Sequence, residues 1–109
     1  MEITTQTKTS SAIRLAAQAD GQEVGHAYLY LIYNDLHTEP YGLFEDIQVS
    51  EAVRGQGIGN QLVAALIAEA KKQGCYKIVA NSRISRPEIH AWYVRLGFTE
   101  YGKEFRLNL

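Results

Sequence analysis

Hydrophobic and polar residues alternate along the first half of the chain, and a period of two residues is typical of β-strands. Residues 13–19 alternate, Asp20 and Gly21 form a hairpin-turn signal, and residues 23–33 are rich in β-branched and aromatic side chains. After a polar stretch, residues 43–49 form another apolar segment. The pattern therefore predicts three strands before the first helix.

The period changes in the second half of the chain, where residues 60–73 carry one apolar stripe with helical spacing. Residues 76–80 then predict a short strand. Because the helix connects this strand to the strand at residues 43–49, the two strands are predicted to be parallel. The stripe consists of Leu62, Val63, Leu66, Ile67 and Ala70.

A second helix is predicted from Ser85 and Glu88, which have the spacing of a capping box. Gly97 is expected to end this helix. Residues 98–101 and 104–109 then predict a β-hairpin at the end of the chain. The apolar stripe of the helix consists of Ile89, Trp92, Tyr93 and Leu96.

Length and composition indicate a single domain over residues 1–109, with 46% hydrophobic and 21% charged residues. A net charge of -1 argues against nucleic acids and membrane surfaces as partners. No apolar run approaches the roughly 20 residues of a membrane span, and the first residues lack the pattern of a signal peptide. The one cysteine, Cys75, excludes an internal disulfide. These features favour a cytoplasmic protein.

Gly55, Gly57 and Gly59 lie between the third predicted strand and the first predicted helix. Glycines let the backbone turn sharply and approach a ligand, and free amides at a helix N-terminus favour a phosphate group. The spacing differs from the P-loop and from the Gly-x-Gly-x-x-Gly pattern of dinucleotide-binding proteins. The segment therefore predicts a pyrophosphate ligand other than ATP or NAD, with a plain glycine-rich turn as the alternative.

Two further motifs flank the glycine segment Arg54-x-x-Gly57-x-Gly59, one at residues 46–49 and one at residues 93–98. Together the three resemble the acetyl-CoA signature, the fourth strand and the late tyrosine helix of the GNAT superfamily of N-acetyltransferases. The resemblance implies an α/β fold, with a mixed, mostly antiparallel sheet and helices on both faces. We expect the family's usual N-terminal helix pair to be missing, because the predicted strands begin early in the chain.

The resemblance implies acetyl-CoA as the co-substrate, with its pyrophosphate on the glycine segment. Backbone groups of Ile47 and Val49 would pair with the pantetheine arm and polarise the thioester carbonyl. Arg54 would add a charged hydrogen bond to phosphate. The implied acetyl-CoA residues are Ile47, Val49, Arg54, Gly55, Gln56, Gly57, Ile58 and Gly59. No metal is expected, because the sequence lacks a cluster of ligands with metal-binding spacing.

Two candidate catalytic residues follow from the same resemblance. Tyr93 would protonate the departing CoA thiolate, although its place on an apolar helical stripe also fits core packing. Glu45 is a candidate base for the amine, and an exposed carboxylate without a catalytic role is the alternative. Because side chains alternate along a strand, only one of Glu45 and Asp46 is expected to face the substrate.

The predicted function is direct transfer of an acetyl group from acetyl-CoA to a primary amine of a small molecule. Residues 45–49 and 74–78 are similar to glucosamine-6-phosphate N-acetyltransferases, whereas Arg86, His90 and Tyr93 are similar to small bacterial amine acetyltransferases. The acceptor therefore stays open. The alternative functions are a CoA-binding module without catalysis and an acetyltransferase for protein lysines or N-termini.

A homodimer is also expected. Residues 27–33 carry bulky side chains on both faces of one strand, and an exposed apolar face often marks a protein contact. A second copy could cover this face and place residues 34–42 over the acceptor site. The alternative is a monomer whose own helices cover both faces.

Overall fold

The computed structural model describes all 109 residues and contains four strands and two α-helices. The order of these elements agrees with the sequence pattern up to residue 98. The elements are β1 (Ser11–Ala19), β2 (Gln22–Ile32), β3 (Tyr41–Val49), a 3-10 turn (Glu51–Val53), α1 (Ile58–Lys72), β4 (Ile78–Ala80) and α2 (Pro87–Arg95).

The four strands form one sheet in the order β1-β2-β3-β4. The first three are antiparallel, and β3 and β4 are parallel, as the strand–helix–strand pattern predicts. In the register Leu29 stands opposite Ile13 on one side and Phe44 on the other. These three side chains therefore share one face of the sheet, which we call the core face.

Helix α1 packs on the core face. Its 15 residues carry the apolar stripe, which lies against β1, β2 and β3. Gly42 makes the close packing possible, because a Cβ at this position would lie only 2.8 Å from Cδ1 of Leu29. The buried residues of this cluster are Ala27, Leu29, Leu31, Phe44, Leu62, Val63, Leu66 and Ala70.

The α/β class and the mixed, mostly antiparallel sheet are confirmed. Both helices contribute side chains to the one hydrophobic cluster, and Trp92 and Tyr93 represent α2 there. The opposite face of the sheet, which we call the outer face, is only partly covered, and Tyr30 on it is 39% exposed. Helices were expected to cover both faces of the sheet, and the cover of the outer face is only partial. Neither helix is long and apolar enough to cross a lipid bilayer.

The predicted C-terminal hairpin is wrong. Residues 99–109 have no regular secondary structure and no backbone hydrogen bond to another segment. The apolar alternation of Phe105, Leu107 and Leu109 is real, but the neighbouring edge strand β4 has only three residues. A two-stranded hairpin without a sheet or helix beneath it is marginal in water, so alternation alone does not produce strands here.

Candidate active site

The glycine segment leads directly into the N-terminus of α1. Gly55 and Gly57 have φ of 83° and 79°, a left-handed conformation that disfavours side chains, and Gly57 is the N-cap residue. The N–H of Gln61 makes the first helical bond, to the carbonyl of Gly57. No side chain caps the helix. The amides of residues 58–60 are therefore free to bind a ligand with negative charge.

A concavity of about 220 Å³ opens at this helix terminus, and we call it the loop concavity. Six of the eight predicted acetyl-CoA residues line it, whereas Ile47 and Gln56 do not. Ile47 is half-buried against the hydrophobic cluster, and Gln56 is exposed. The lining residues are Val49, Arg54, Gly55, Gly57, Ile58, Gly59, Asn60 and Trp92.

Asn60 and Trp92 line the loop concavity, and the sequence analysis assigned neither of them to the ligand. The indole Nε1–H of Trp92 donates to Oδ1 of Asn60 at 2.6 Å, which joins α2 to the first turn of α1. A Cβ on Gly59 would lie 3.6 Å from the Trp92 ring, an ordinary contact distance. In the sequence, Trp92 belongs to the apolar stripe of the second helix, which indicates core packing. The one sequence signal for Asn60 is that it is polar and lies in the first turn of α1.

The side chain of Arg54 is held beside the loop by a hydrogen bond to a backbone carbonyl five residues earlier in the chain. Its Nε donates to the carbonyl of Val49 at 3.3 Å, and the side chain is exposed. The guanidinium retains further N–H groups for a phosphate oxygen. The predicted charged contact to phosphate is therefore geometrically available at this position.

Strand β4 ends before it reaches the level of the loop concavity. Their parallel pairing covers only residues 42–44 of β3 and ends at Phe44 and Ala80. The next residues of β3 continue to Val49 and stay paired with β2 on the other side. Residues 45–49 thus have an edge without a strand partner, and an extended ligand could pair with its backbone as an added strand does.

Tyr93 reaches this region from α2. Its ring lies 5.3 Å from that of Phe98, which in turn lies 5.8 Å from that of Phe44. Burial raises the pKa of the Tyr93 phenol, and the negative charge of Glu45 raises it further. The phenol therefore stays protonated at neutral pH and can donate a proton. The predicted core and catalytic roles are compatible, because the ring packs while the hydroxyl remains a donor.

Glu45 and Asp46 do not follow the expected alternation. Asp46 has φ of 51°, and the register of β2 and β3 shifts between His26 and Tyr28. Such a bulge turns consecutive side chains toward the same side. Both carboxylates consequently line a concavity of about 560 Å³ on the outer face, which we call the acidic concavity. Its lining residues are Tyr28, Tyr30, Leu43, Glu45 and Asp46.

Cys75 is a half-buried residue, and burial raises the pKa of its thiol. The thiol is thus a poor nucleophile at neutral pH, because the thiolate is the reactive form. No group of three or more His, Cys, Asp or Glu side chains is arranged to hold a metal ion.

The sheet is mixed, β3 continues beyond its short parallel partner β4, and a glycine loop leads into the N-terminus of the helix between them. This is the fold class that the three motifs implied. The sequence model of the acetyltransferase (GNAT) family matches residues 3–98. The chain therefore belongs to the GNAT acetyltransferase family, and the resemblance drawn from the motifs is confirmed.

Two curated relatives show what the chain is similar to. It is 34% identical over 92 residues to an aminoglycoside N(6')-acetyltransferase type 1 of Stenotrophomonas maltophilia, a match that covers 82% of this chain and 60% of that protein. It is 39% identical over 59 residues to glucosamine 6-phosphate N-acetyltransferase 1 of Oryza sativa subsp. japonica, covering 54% and 34%. The chain thus spans about one third to three fifths of the length of these relatives.

A similar solved structure is the aminoglycoside N-acetyltransferase AAC(6')-Iy, determined with the bisubstrate analogue CoA-S-monomethyl-acetylneamine. Its TM-score to this chain is 0.76 at 23% sequence identity, covering 90% of this chain and 69% of that one. This likeness supports the fold.

Proposed function

We propose that the protein is an N-acetyltransferase that transfers an acetyl group from acetyl-CoA directly to a primary amine of a small molecule. The observation that carries the proposal is the loop concavity, which opens beside the unpartnered edge of β3 at Val49. The expected phosphate site therefore adjoins the strand edge that would pair with the pantetheine arm of CoA. The solved complex of a protein with the same fold and a CoA bisubstrate analogue supports this use of the cleft.

In the proposed complex the CoA pyrophosphate lies on the free amides of residues 58–60, and Arg54 donates to one of its oxygens. The pantetheine arm runs along the edge of β3, where backbone groups near Ile47 and Val49 bind it. One backbone N–H of this edge polarises the thioester carbonyl and stabilises the negative charge that develops there.

The chemistry requires one bond to form and one to break. The neutral amine attacks the thioester carbonyl carbon, the new C–N bond forms, and the C–S bond breaks. Tyr93 donates its proton to the departing thiolate and so releases CoA as the thiol. Before attack the ammonium loses one proton to Glu45, directly or through water, and Glu45 then releases it to solvent. The second proton leaves nitrogen after attack and restores the phenol of Tyr93, so one net proton is released per turnover.

The test is CoA release with a panel of amines, followed by thiol detection. Tyr93→Phe keeps the ring and removes the donor, so turnover should fall about 10- to 100-fold while CoA affinity is retained. Tyr101→Phe is the matched control, because the Tyr101 side chain is 97% exposed and lines neither concavity. Equal turnover of the wild-type protein and Tyr93→Phe would contradict the general-acid role, and no CoA release with any amine would contradict the proposal.

We also propose that the protein forms a homodimer through the outer face. Tyr30 on this face is 39% exposed, and in the segment that follows β2 the side chains of Tyr33 and Leu36 are 57% and 82% exposed. Exposed apolar side chains of this kind tend to lie at protein contacts. In a symmetric pair each loop at residues 34–42 would border the acceptor site of the other copy.

A further inference from the structure

The acidic concavity lies on the outer face, and its wall combines aromatic rings with carboxylates. Tyr28 and Tyr30 stack side by side with ring centroids 6.1 Å apart. Glu45 and Asp46 lie on the neighbouring strand, β3, and Leu43 completes the wall. The concavity, of about 560 Å³, is large enough for a small organic molecule.

The position of this concavity links it to the proposed reaction. Glu45 belongs both to its wall and to the surroundings of Tyr93, whose phenol responds to the charge of Glu45. Glu45 also begins the segment of β3 that has no β4 partner. The acidic concavity therefore adjoins the unpaired edge of β3, along which the thioester is proposed to lie.

The two carboxylates of the acidic concavity differ in their partners. Glu45 makes no ion pair and no side-chain hydrogen bond, whereas Oδ2 of Asp46 lies 2.9 Å from Nε2 of His26. The one arginine of this surface, Arg14, is engaged by both carboxylate oxygens of Glu23 at 2.7 and 2.8 Å. None of the five lining residues carries a positive charge, and the carboxylate of Glu45 has no partner in the chain.

Such a wall discriminates between amines by their second functional group. A second ammonium group would gain from the carboxylates and from the face of the Tyr30 ring, since Arg14 already lies 5.8 Å from the centroid of the Tyr28 ring. A phosphate group would meet two carboxylates in a wall that contains no lysine or arginine and would be repelled. Building on the proposed function, we infer that the acceptor is an amine with a second cationic amino group, which Asp46 binds, and not a phosphorylated amino sugar.

The proposal makes Asp46 a specificity-determining residue and separates it from Glu45. Glu45 lies toward Tyr93 and takes part at the reacting amine, whereas Asp46 lies toward His26 and binds the second ammonium. The bulge in β3 is what makes this division possible, because a regular strand would direct one of the two carboxylates to the core face.

The experiment compares putrescine with n-butylamine, and glucosamine with glucosamine 6-phosphate, by CoA release from acetyl-CoA. We expect kcat/KM for the diamine to exceed that for the monoamine by about 10-fold, the low end for a hydrogen-bonded charge at an open site. The phosphorylated sugar should be the poorer of the two sugars. Asp46→Asn should remove most of the diamine preference through KM and leave n-butylamine turnover within about 3-fold, a change expected for a lost charge contact.

Asp20→Asn is the matched control. Asp20 also has φ of 51°, but it lies in the exposed turn between β1 and β2 and should leave the preference unchanged. Calorimetry of CoA binding accompanies each variant. Normal CoA binding and amine turnover with equal use of diamine and monoamine, or with preferred glucosamine 6-phosphate, would overturn only the acceptor inference. A protein that neither binds CoA nor acetylates any amine would overturn the proposed function together with the acceptor inference.

Discussion

At the scale of single residues, Gly57 combines two roles in the loop. It caps α1 with φ of 79°, and a Cβ built on it would meet no atom within 4 Å, so the side chain would enter the open space of the concavity. Backbone and ligand therefore both disfavour a side chain at this position. Gly59 differs, because its Cβ would only contact the Trp92 ring at 3.6 Å.

We expect Gly57→Val to weaken CoA binding by more than about 10-fold, because a β-branched side chain is strained at positive φ and would occupy the phosphate position. Gly59→Ala is the control and should change the dissociation constant little. Isothermal titration calorimetry on folded protein measures both. Unchanged CoA affinity of a folded Gly57→Val protein would remove the loop from the binding site.

The protonation of Tyr93 leads to a pH prediction. Because burial raises its pKa, the phenol remains protonated up to and beyond its ordinary value of about 10. Loss of the general acid should therefore lower turnover only above about pH 10, the ordinary tyrosine value. Since the charge of Glu45 also raises this pKa, Glu45→Gln should move the ionisation of Tyr93 to lower pH.

Ultraviolet titration of tyrosinate, compared between the wild type, Glu45→Gln and Tyr93→Phe, measures this shift directly. The same pKa shift makes the stability of the fold depend on pH. The phenol of the unfolded chain ionises near its ordinary pKa, whereas the buried phenol ionises only at higher pH, so the free energy of unfolding declines as pH rises above about 10. A Tyr93 that ionises below its ordinary value would refute the stated environment of the phenol.

At the scale of secondary-structure elements, α1 connects the loop to the sheet. Its residue Leu66 is fully buried and belongs to the hydrophobic cluster between α1 and the sheet, which holds the helix N-terminus in place. The position of the free amides at residues 58–60 therefore depends on packing at the middle of the helix, about two turns away.

Leu66→Ala should lower the free energy of unfolding by about 2–5 kcal/mol, the range for a large-to-small change in a close-packed core. Leu107→Ala makes the same chemical change at a side chain that is 83% exposed and outside the proposed dimer contact, and it should have little effect. Urea unfolding followed by circular dichroism compares the two. A similar loss of stability in both variants would contradict the assigned core.

At the scale of the whole molecule, the outer face and the C-terminal residues expose apolar side chains that no element of the chain covers. The dimer proposal predicts a particle of about twice 12.2 kDa in light scattering. Tyr33→Asp should shift the population toward the monomer, because it places a charge in the contact. Ile84→Asp is the control, since Ile84 is also exposed but precedes α2.

A monomer mass for the wild-type protein at working concentration, with acetyl transfer intact, would refute the homodimer and the shared border of the acceptor site. Equal dissociation of Tyr33→Asp and Ile84→Asp would place the contact elsewhere.

The local pattern was sufficient for the strands β1 to β3, both helices and the glycine loop. Side-chain periods of 2 and 3.6 residues and turn glycines act over a few neighbouring residues, so they can be recognised without knowledge of the fold. The capping box predicted at Ser85 and Glu88 is wrong, because the N-cap of α2 is Arg86 and no side chain caps this helix. The parallel orientation of β3 and β4 also follows, because a helix between two strands of one sheet leaves little choice. The family followed from motifs that these elements carry.

Tertiary structure decided the features that depend on residues far apart in the chain. The C-terminal alternation gains no strand because β4 offers it only three residues, and Trp92 becomes a wall of the loop concavity through its bond to Asn60, 32 positions away. Asp46 turns to the outer face at a bulge set by pairing with β2, where His26 stands 20 positions earlier. Period and propensity describe how one segment can fold, whereas the acceptor wall forms only when separate segments pack together.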